Sequence, residues 1–245
     1  MMNSLKTTSV ALAIMMDAVK DAVFPDYADA YSDGPAERIV RALSPLAGEE
    51  AAQAFVRSLP EIKRMLETDV KAIEANDPAA TGAREIVFCY PAVTAILYYR
   101  AAHRLWEMHV PILPRMLTEH AHSVTGIDIH PGASIGEYFA IDHGTGTVIG
   151  ETAVIGNHVT LYQGVTLGAK NFVYDETGRP RNVPRHPILE DDVTVYSNAS
   201  LLGRITVGAG SIIGGNVWLT HSVPPRSRIV QSPYRESFFR DGEGI

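Results

Sequence analysis

Aliphatic residues recur every sixth position through the second half of the chain: Ile129, Ile135 and Ile141, then Ile149, Ile155, Leu161 and Leu167, then Leu189, Val195, Leu201, Val207, Ile213 and Leu219. Glycine follows several of them directly, at Gly136, Gly150, Gly156, Gly168, Gly208 and Gly214. A six-residue period belongs neither to the helix nor to the two-residue alternation of a lone strand, so the segment reads as a repeat. Each hexapeptide supplies one short flat strand and a corner, and three close one triangular coil. The aliphatic residue points inward and stacks on its equivalent about 4.8 Å away. The pattern predicts about four coils of a parallel β-helix. A sandwich of short strands would turn every 8–12 residues or so instead.

The preceding part follows a helical period. Leu12, Met15, Met16, Val19 and Val23 fit one face of a helix that ends before Pro25, and Pro35 after Gly34 opens a second that runs towards Leu43. Glu49 to Leu59 and Glu61 to Ala75 read as two further helices separated at Pro60, because an internal proline removes a helical hydrogen bond. A long apolar helix follows Pro91, from Ala92 to Met108, and Leu113 to His122 leads into the repeats. The expected class is therefore α+β: an all-helical domain over 1–122, a parallel β-helix over 123–230 and a tail over 231–245. Tyr98, Tyr99 and Trp106 on the long helix fit either core packing or a helix–helix assembly surface.

Composition narrows the functions. In 245 residues, 46 % are hydrophobic, enough for sizeable cores, and the net charge of −7 argues against nucleic acid or an anionic membrane as the main partner. The single cysteine, Cys89, excludes an intramolecular disulfide framework and suits a reducing cytoplasm. It lies away from the breaks in the repeat and reads as a small buried hydrophobe. Lys6 and the apolar run from Thr7 to Met16 imitate a secretion signal, but Asp17, Lys20 and Asp21 interrupt it, favouring a helix start. No run reaches the roughly 18 apolar residues of a membrane span.

Chemistry belongs where the period breaks, since regular coils offer only a repeating surface. One break is Ile141-Asp142-His143-Gly144-Thr145-Gly146-Thr147; the other is the excursion from Ala169 to Pro187. On a triangular coil Asp128 and His143 fall on nearly adjacent corners of neighbouring turns. A carboxylate there would take the Nδ1 hydrogen and aim Nε2 outward as a base for a hydroxyl nucleophile. Two rival readings are a zinc set of His143, His158 and His186, as in γ-type carbonic anhydrases, and a non-catalytic scaffold.

The segments Asp128-Ile129-His130-Pro131-Gly132-Ala133, Ile141-Asp142-His143-Gly144-Thr145-Gly146, Ile149-Gly150-Glu151-Thr152-Ala153-Val154-Ile155-Gly156, Tyr162-Gln163-Gly164-Val165-Thr166-Leu167-Gly168 and Arg185-His186-Pro187 resemble those of serine O-acetyltransferases, in the hexapeptide-repeat acyltransferase superfamily. The likeness extends back through Asn76-Asp77-Pro78-Ala79 and Tyr99-Arg100-Ala101-Ala102-His103-Arg104-Leu105-Trp106. It implies a left-handed β-helix and acetyl transfer from acetyl-CoA to the L-serine hydroxyl, without a metal, by direct attack. His143 would be the general base and Asp128 its orienting partner. Asp77 and Asp142 would hold the serine ammonium, Arg185 its carboxylate, and His186 would lie near the reacting hydroxyl. A zwitterion needs this division of charge. Pantetheine would bond backbone groups near Gly168, Ala169, Ser197 and Gly215. The resemblance further implies homotrimers or hexamers, feedback inhibition by L-cysteine, and capture of the terminal Ile245 by O-acetylserine sulfhydrylase. Two departures stand out: the excursion is longer than the Gly-rich loop of many relatives, as a lid or a solvated loop, and Thr81 stands where some relatives carry an acidic residue near Asp77.

Overall fold

The computed structural model describes residues 4–28 and 32–232. Helix α1 (Leu5–Val23) begins at Ser4, whose hydroxyl accepts the Thr7 amide and satisfies one of the free donors of the first turn. The signal-like apolar run is the inner side of this helix, with Leu12, Met15, Met16, Val19 and Val23 buried. Helix α2 (Pro35–Ala47) packs on it.

The next helix corrects the sequence reading. α3 (Glu49–Asn76) runs through Pro60 without a break. Phe55, Ile62 and Leu66 on either side of the proline are all buried. Burial worth about 1.5–3 kcal/mol each outweighs the ~3 kcal/mol that an internal proline costs. A second correction concerns Cys89. It closes a short helix, α4 (Ala83–Cys89), that the periodicity did not reveal, and it is exposed because Ile86 and Val87 are the residues of that helix turned inward. Helices α5 (Pro91–Glu107) and α6 (Leu113–Thr125) pack against each other and deliver the chain to the repeats through Gly126, in the left-handed conformation.

Among the described residues, fourteen strands then form three parallel sheets. The first stacks β1 (Asp128–Ile129), β4 (Val148–Ile149), β7 (Thr166–Gly168), β10 (Ser200–Leu202) and β13 (Trp218–Leu219). The second stacks β2 (Ser134–Ile135), β5 (Val154–Ile155), β8 (Ile188–Leu189) and β11 (Thr206–Val207). The third stacks β3 (Ala140–Asp142), β6 (Thr160–Tyr162), β9 (Thr194–Val195), β12 (Ile212–Ile213) and β14 (Arg228–Ile229). All thirteen aliphatic residues of the six-residue series are buried. They pair in three ladders, such as Ile129 on Ile149, Ile149 on Leu167, Leu167 on Leu201, and Leu201 on Leu219. Strand β14 carries the solenoid beyond the four coils counted in the sequence, so the left-handed β-helix has about five turns.

An open coil end exposes unpaired strand edges, and here helices cover them. Tyr99, buried on α5, donates its hydroxyl to the Ala133 carbonyl at 2.6 Å, and His103 Nδ1 lies 2.7 Å from the Pro131 carbonyl. Tyr99 is therefore a core residue, while Trp106 remains partly exposed with its ring edge-on to His130. Among the described residues no helix is long and apolar enough to cross a membrane.

Candidate active site

Ile141 and Ile149 are eight residues apart rather than six, and the surplus is absorbed at the corner between the third and first sheets. His143 and Gly144 both take positive φ, 56° and 84°. A Cβ on Gly144 would lie 2.5 Å from Ile127 Cδ1, so only glycine closes this turn over the core. The turn turns the imidazole outward: the His143 side chain is 77 % exposed, with Nε2 at 3.8 Å from Asp142 Oδ1.

The end of α3 meets this corner. Asn76 Nδ2 donates to Thr160 Oγ1 at 3.0 Å, bringing Asp77 beside the third sheet. Asp77 accepts the Tyr90 hydroxyl at 2.6 Å on Oδ2 and the Ala79 amide at 2.8 Å on Oδ1. These bonds, with the nearby His143, hold its carboxyl below the usual range. Tyr90 is pushed up to about 12, chiefly by that bond and by burial, with the charges of Asp77, Glu85 and Asp142 adding to it. Asp77, Asp142 and His143 thus share one electronegative corner. Tyr90 and Glu85 belong to it although the sequence reading passed over them. Glu85 accepts the Thr81 amide at 2.7 Å and also pairs with the Thr81 hydroxyl, so an acidic group stands in this region despite the threonine at 81. Tyr90 could have been noticed as the aromatic residue just before the helix-opening Pro91.

Asp128 starts β1 on the outer side of the first sheet, opposite Val148. Among the described residues no hydrogen bond joins it to His143, whose carboxylate neighbour is Asp142.

Arg185 and His186 occupy a different corner, between the first and second sheets. Arg185 Nη2 pairs with Glu151 Oε2 at 2.6 Å and Nη1 donates to Asn182 Oδ1 at 2.9 Å, which fixes the fork. His186, 7 % exposed, accepts the Thr152 amide on Nδ1 at 3.0 Å, which places the ring hydrogen on Nε2. Its ring lies against Gly150, where a Cβ would come within 2.1 Å. Burial, then the Arg185 charge, pushes His186 down to about 4, so it is neutral at physiological pH. His130 on the same corner is also lowered to about 4 by burial, and accepts the Gly132 amide on Nδ1 at 3.0 Å.

The proposed cofactor positions divide the same way. Gly168 and Ala169 lie where the first sheet meets the Arg185 corner, while Ser197 and Gly215 stack on the His143 corner, with the Asn216 amide donating to the Ser197 carbonyl at 2.9 Å. His143, His158 and His186 stand on three different corners, and His158 stacks on Tyr138 at 4.4 Å. The excursion folds back on itself through a Tyr174–Pro180 bridge around Asp175, whose Oδ1 accepts the Thr177 and Arg179 amides. Phe172, Val173 and Tyr174 are exposed on it.

No protein-family model matches the chain. It is 59 % identical over 197 residues to the plasmid serine acetyltransferase of Synechococcus elongatus, a match that spans 80 % of this chain but only 62 % of that relative. It is 44 % identical over 172 residues to the serine acetyltransferase of Bacillus subtilis, covering 70 % of this chain and 76 % of the other. Among solved structures, Entamoeba histolytica serine acetyltransferase 1 in complex with L-cysteine superposes with a TM-score of 0.79 at 38 % identity, covering 88 % of this chain and 86 % of that one. The serine complex of the Neisseria gonorrhoeae enzyme gives 0.69 at 29 % identity over 94 % of both chains, and a serine acetyltransferase in complex with CoA gives 0.66 at 29 % identity over 87 % and 79 %. In sequence and in fold, this chain belongs to the serine acetyltransferase family of acyltransferases.

Proposed function

We propose that the protein transfers the acetyl group of acetyl-CoA to the hydroxyl of L-serine, giving O-acetyl-L-serine for cysteine synthesis. The observation that carries this reading is the corner where Asp77, Asp142 and Tyr90 gather beside the exposed imidazole of His143. Two carboxylates suit an ammonium group, and a base next to them reaches the adjacent hydroxyl. His143 accepts the hydroxyl proton as the serine oxygen adds to the thioester carbonyl; a backbone amide steadies the oxyanion, and the thiolate of CoA departs. Asp128 orients His143 once substrate closes the site. The neutral His186 offers its Nε2 hydrogen to the reacting oxygen. CoA release measured across a panel of amino-acid acceptors and acyl donors tests the reading. The highest kcat/KM is expected for L-serine with acetyl-CoA, and a clear preference for another pair would refute it.

The serine carboxylate falls to Arg185, held as a fork by Glu151 and Asn182. His143 and Arg185 stand on opposite edges of the first sheet, separated by about five extended residues, or roughly 15 Å. A single serine does not bridge that distance. One site therefore takes His143 from one copy and Arg185 from the next, and the β-helices associate as trimers with acetyl-CoA in the groove between Gly168 and Ala169 of one and Ser197 and Gly215 of its neighbour. On this reading the helical domain over 1–122 joins trimers into hexamers, the β-helix over 123–230 is catalytic, and the chain works in a reducing cytoplasm.

Arg185→Lys is expected to raise KM for serine with little change in KM for acetyl-CoA, because a point charge replaces a bidentate fork. Measuring both constants checks it; an effect confined to acetyl-CoA would contradict the assignment. L-cysteine, which puts SH in place of OH, is expected to inhibit competitively against serine as end-product control. Absence of inhibition at millimolar cysteine would remove that control. Ile245 and the whole 233–245 segment lie outside the described residues. A terminal carboxylate followed inward by an aliphatic side chain and Gly244 imitates an amino-acid substrate with a pliable backbone. Deleting Ile245 is expected to abolish binding to O-acetylserine sulfhydrylase in titration calorimetry and to spare acetyl transfer; equal affinity of both forms would disprove it.

A further inference from the structure

A buried ion pair outside the candidate site joins the two halves of the molecule. Asp69 on α3 is 2 % exposed at its side chain and Arg100 on α5 is 6 % exposed. Arg100 Nε donates to Asp69 Oδ2 at 2.6 Å and Nη2 to Oδ1 at 2.8 Å. The same guanidinium reaches the first coil, with Nη2 donating to the Gly136 carbonyl at 2.8 Å and Nη1 to the Ile135 carbonyl at 3.3 Å. Asp69 Oδ1 accepts the Phe139 amide at 3.0 Å, and the neighbouring Thr68 Oγ1 accepts the Tyr138 amide at 3.2 Å.

Such a pair is a poor source of stability, since desolvating two charges offsets most of their attraction, and well-packed apolar residues often serve as well. What it does supply is register. α3 continues from Asp69 to its end at Asn76, with Asp77 next, about 12 Å of helix at ~1.5 Å per residue. The coil continues from Phe139 through β3 to Asp142 and His143. This clamp sets how the two carboxylates of the candidate corner face each other, assisted by the exposed Asn76–Thr160 bond beside Asp77 and by the exposed Arg64–Glu137 pair further back along α3.

We propose that Asp69 and Arg100 are positioning residues for the serine ammonium site, holding Asp77 against Asp142; this rests on the assignment of those carboxylates to serine. Arg100→Lys keeps the charge and loses the two-sided fork. It is expected to raise KM for serine about tenfold, given that misplacements near 1 Å can cost ~10²-fold, while KM for acetyl-CoA stays near that of the parent and the melting temperature falls as the carbonyls of Ile135 and Gly136 lose donors. Asp69→Asn keeps the volume and an acceptor for Phe139, and carries the same expectation for the two Michaelis constants if the lysine variant does not fold, with a lower melting temperature because the buried guanidinium loses its counter-charge. Both are combined with Asp77→Asn. Residues acting through Asp77 add little to serine KM once Asp77 is altered, so the effects are expected to be non-additive. Additive effects, an equal rise in both Michaelis constants, an unchanged serine KM in a folded variant, or failure of both variants to fold would overturn the proposal. Asp77→Asn alone leaving serine KM unchanged would refute the ammonium assignment instead.

Discussion

Replacing His143 by alanine is expected to lower kcat and kcat/KM together by at least ~10²-fold, the low end for loss of a positioned general base. The side chain is 77 % exposed and covers no core, so circular dichroism and the melting temperature should change little. The backbone does need care, because His143 sits at φ 56°, where alanine is strained. His143→Asn answers this: asparagine tolerates the left-handed conformation and accepts no proton at neutral pH. Both variants should lose the chemical step alike, in single-turnover measurements with saturating acetyl-CoA. Near-normal turnover in either would remove His143 from the mechanism.

The β-helix was legible because its constraint is local and repeated. Every inward position must be aliphatic at a fixed spacing, and all thirteen such residues lie inside, in register from coil to coil. The breaks in the period were legible for the same reason, since the eight-residue step at Ile141–Ile149 marks the turn that carries His143. The helical half was read less well. Pro60 signals a helix end locally, and only burial of Phe55, Ile62 and Leu66 against distant residues keeps α3 whole. Cys89 and α4 failed similarly, because seven residues are too short for a periodic signal. Tyr90, Glu85 and the Asp69–Arg100 clamp depend on contacts between segments far apart in the chain, or on a cap geometry that periodicity does not carry. The motifs named His143, Asp142, Asp77, Arg185 and His186 as candidates, but placed on the triangular coil they divide between two corners. That division is a property of three-dimensional topology.

The division also yields the second large effect. Arg185→Ala is expected to lose most of its activity at limiting serine, and His143→Ala at any serine concentration. When the two variants are co-expressed with different tags and mixed oligomers are isolated, some sites receive His143 from one copy and Arg185 from its neighbour. A closed ring of three that holds both variants has one intact site in three, so mixed trimers keep about one third of the sites, and hexamers, in which one ring can hold a single variant, about one quarter. The account predicts that kcat/KM for serine in the mixed oligomers returns to about a quarter to a third of the parent value. Activity that stays at the level of the two variants alone would contradict it, and would place His143 and Arg185 in the same copy or outside a common site.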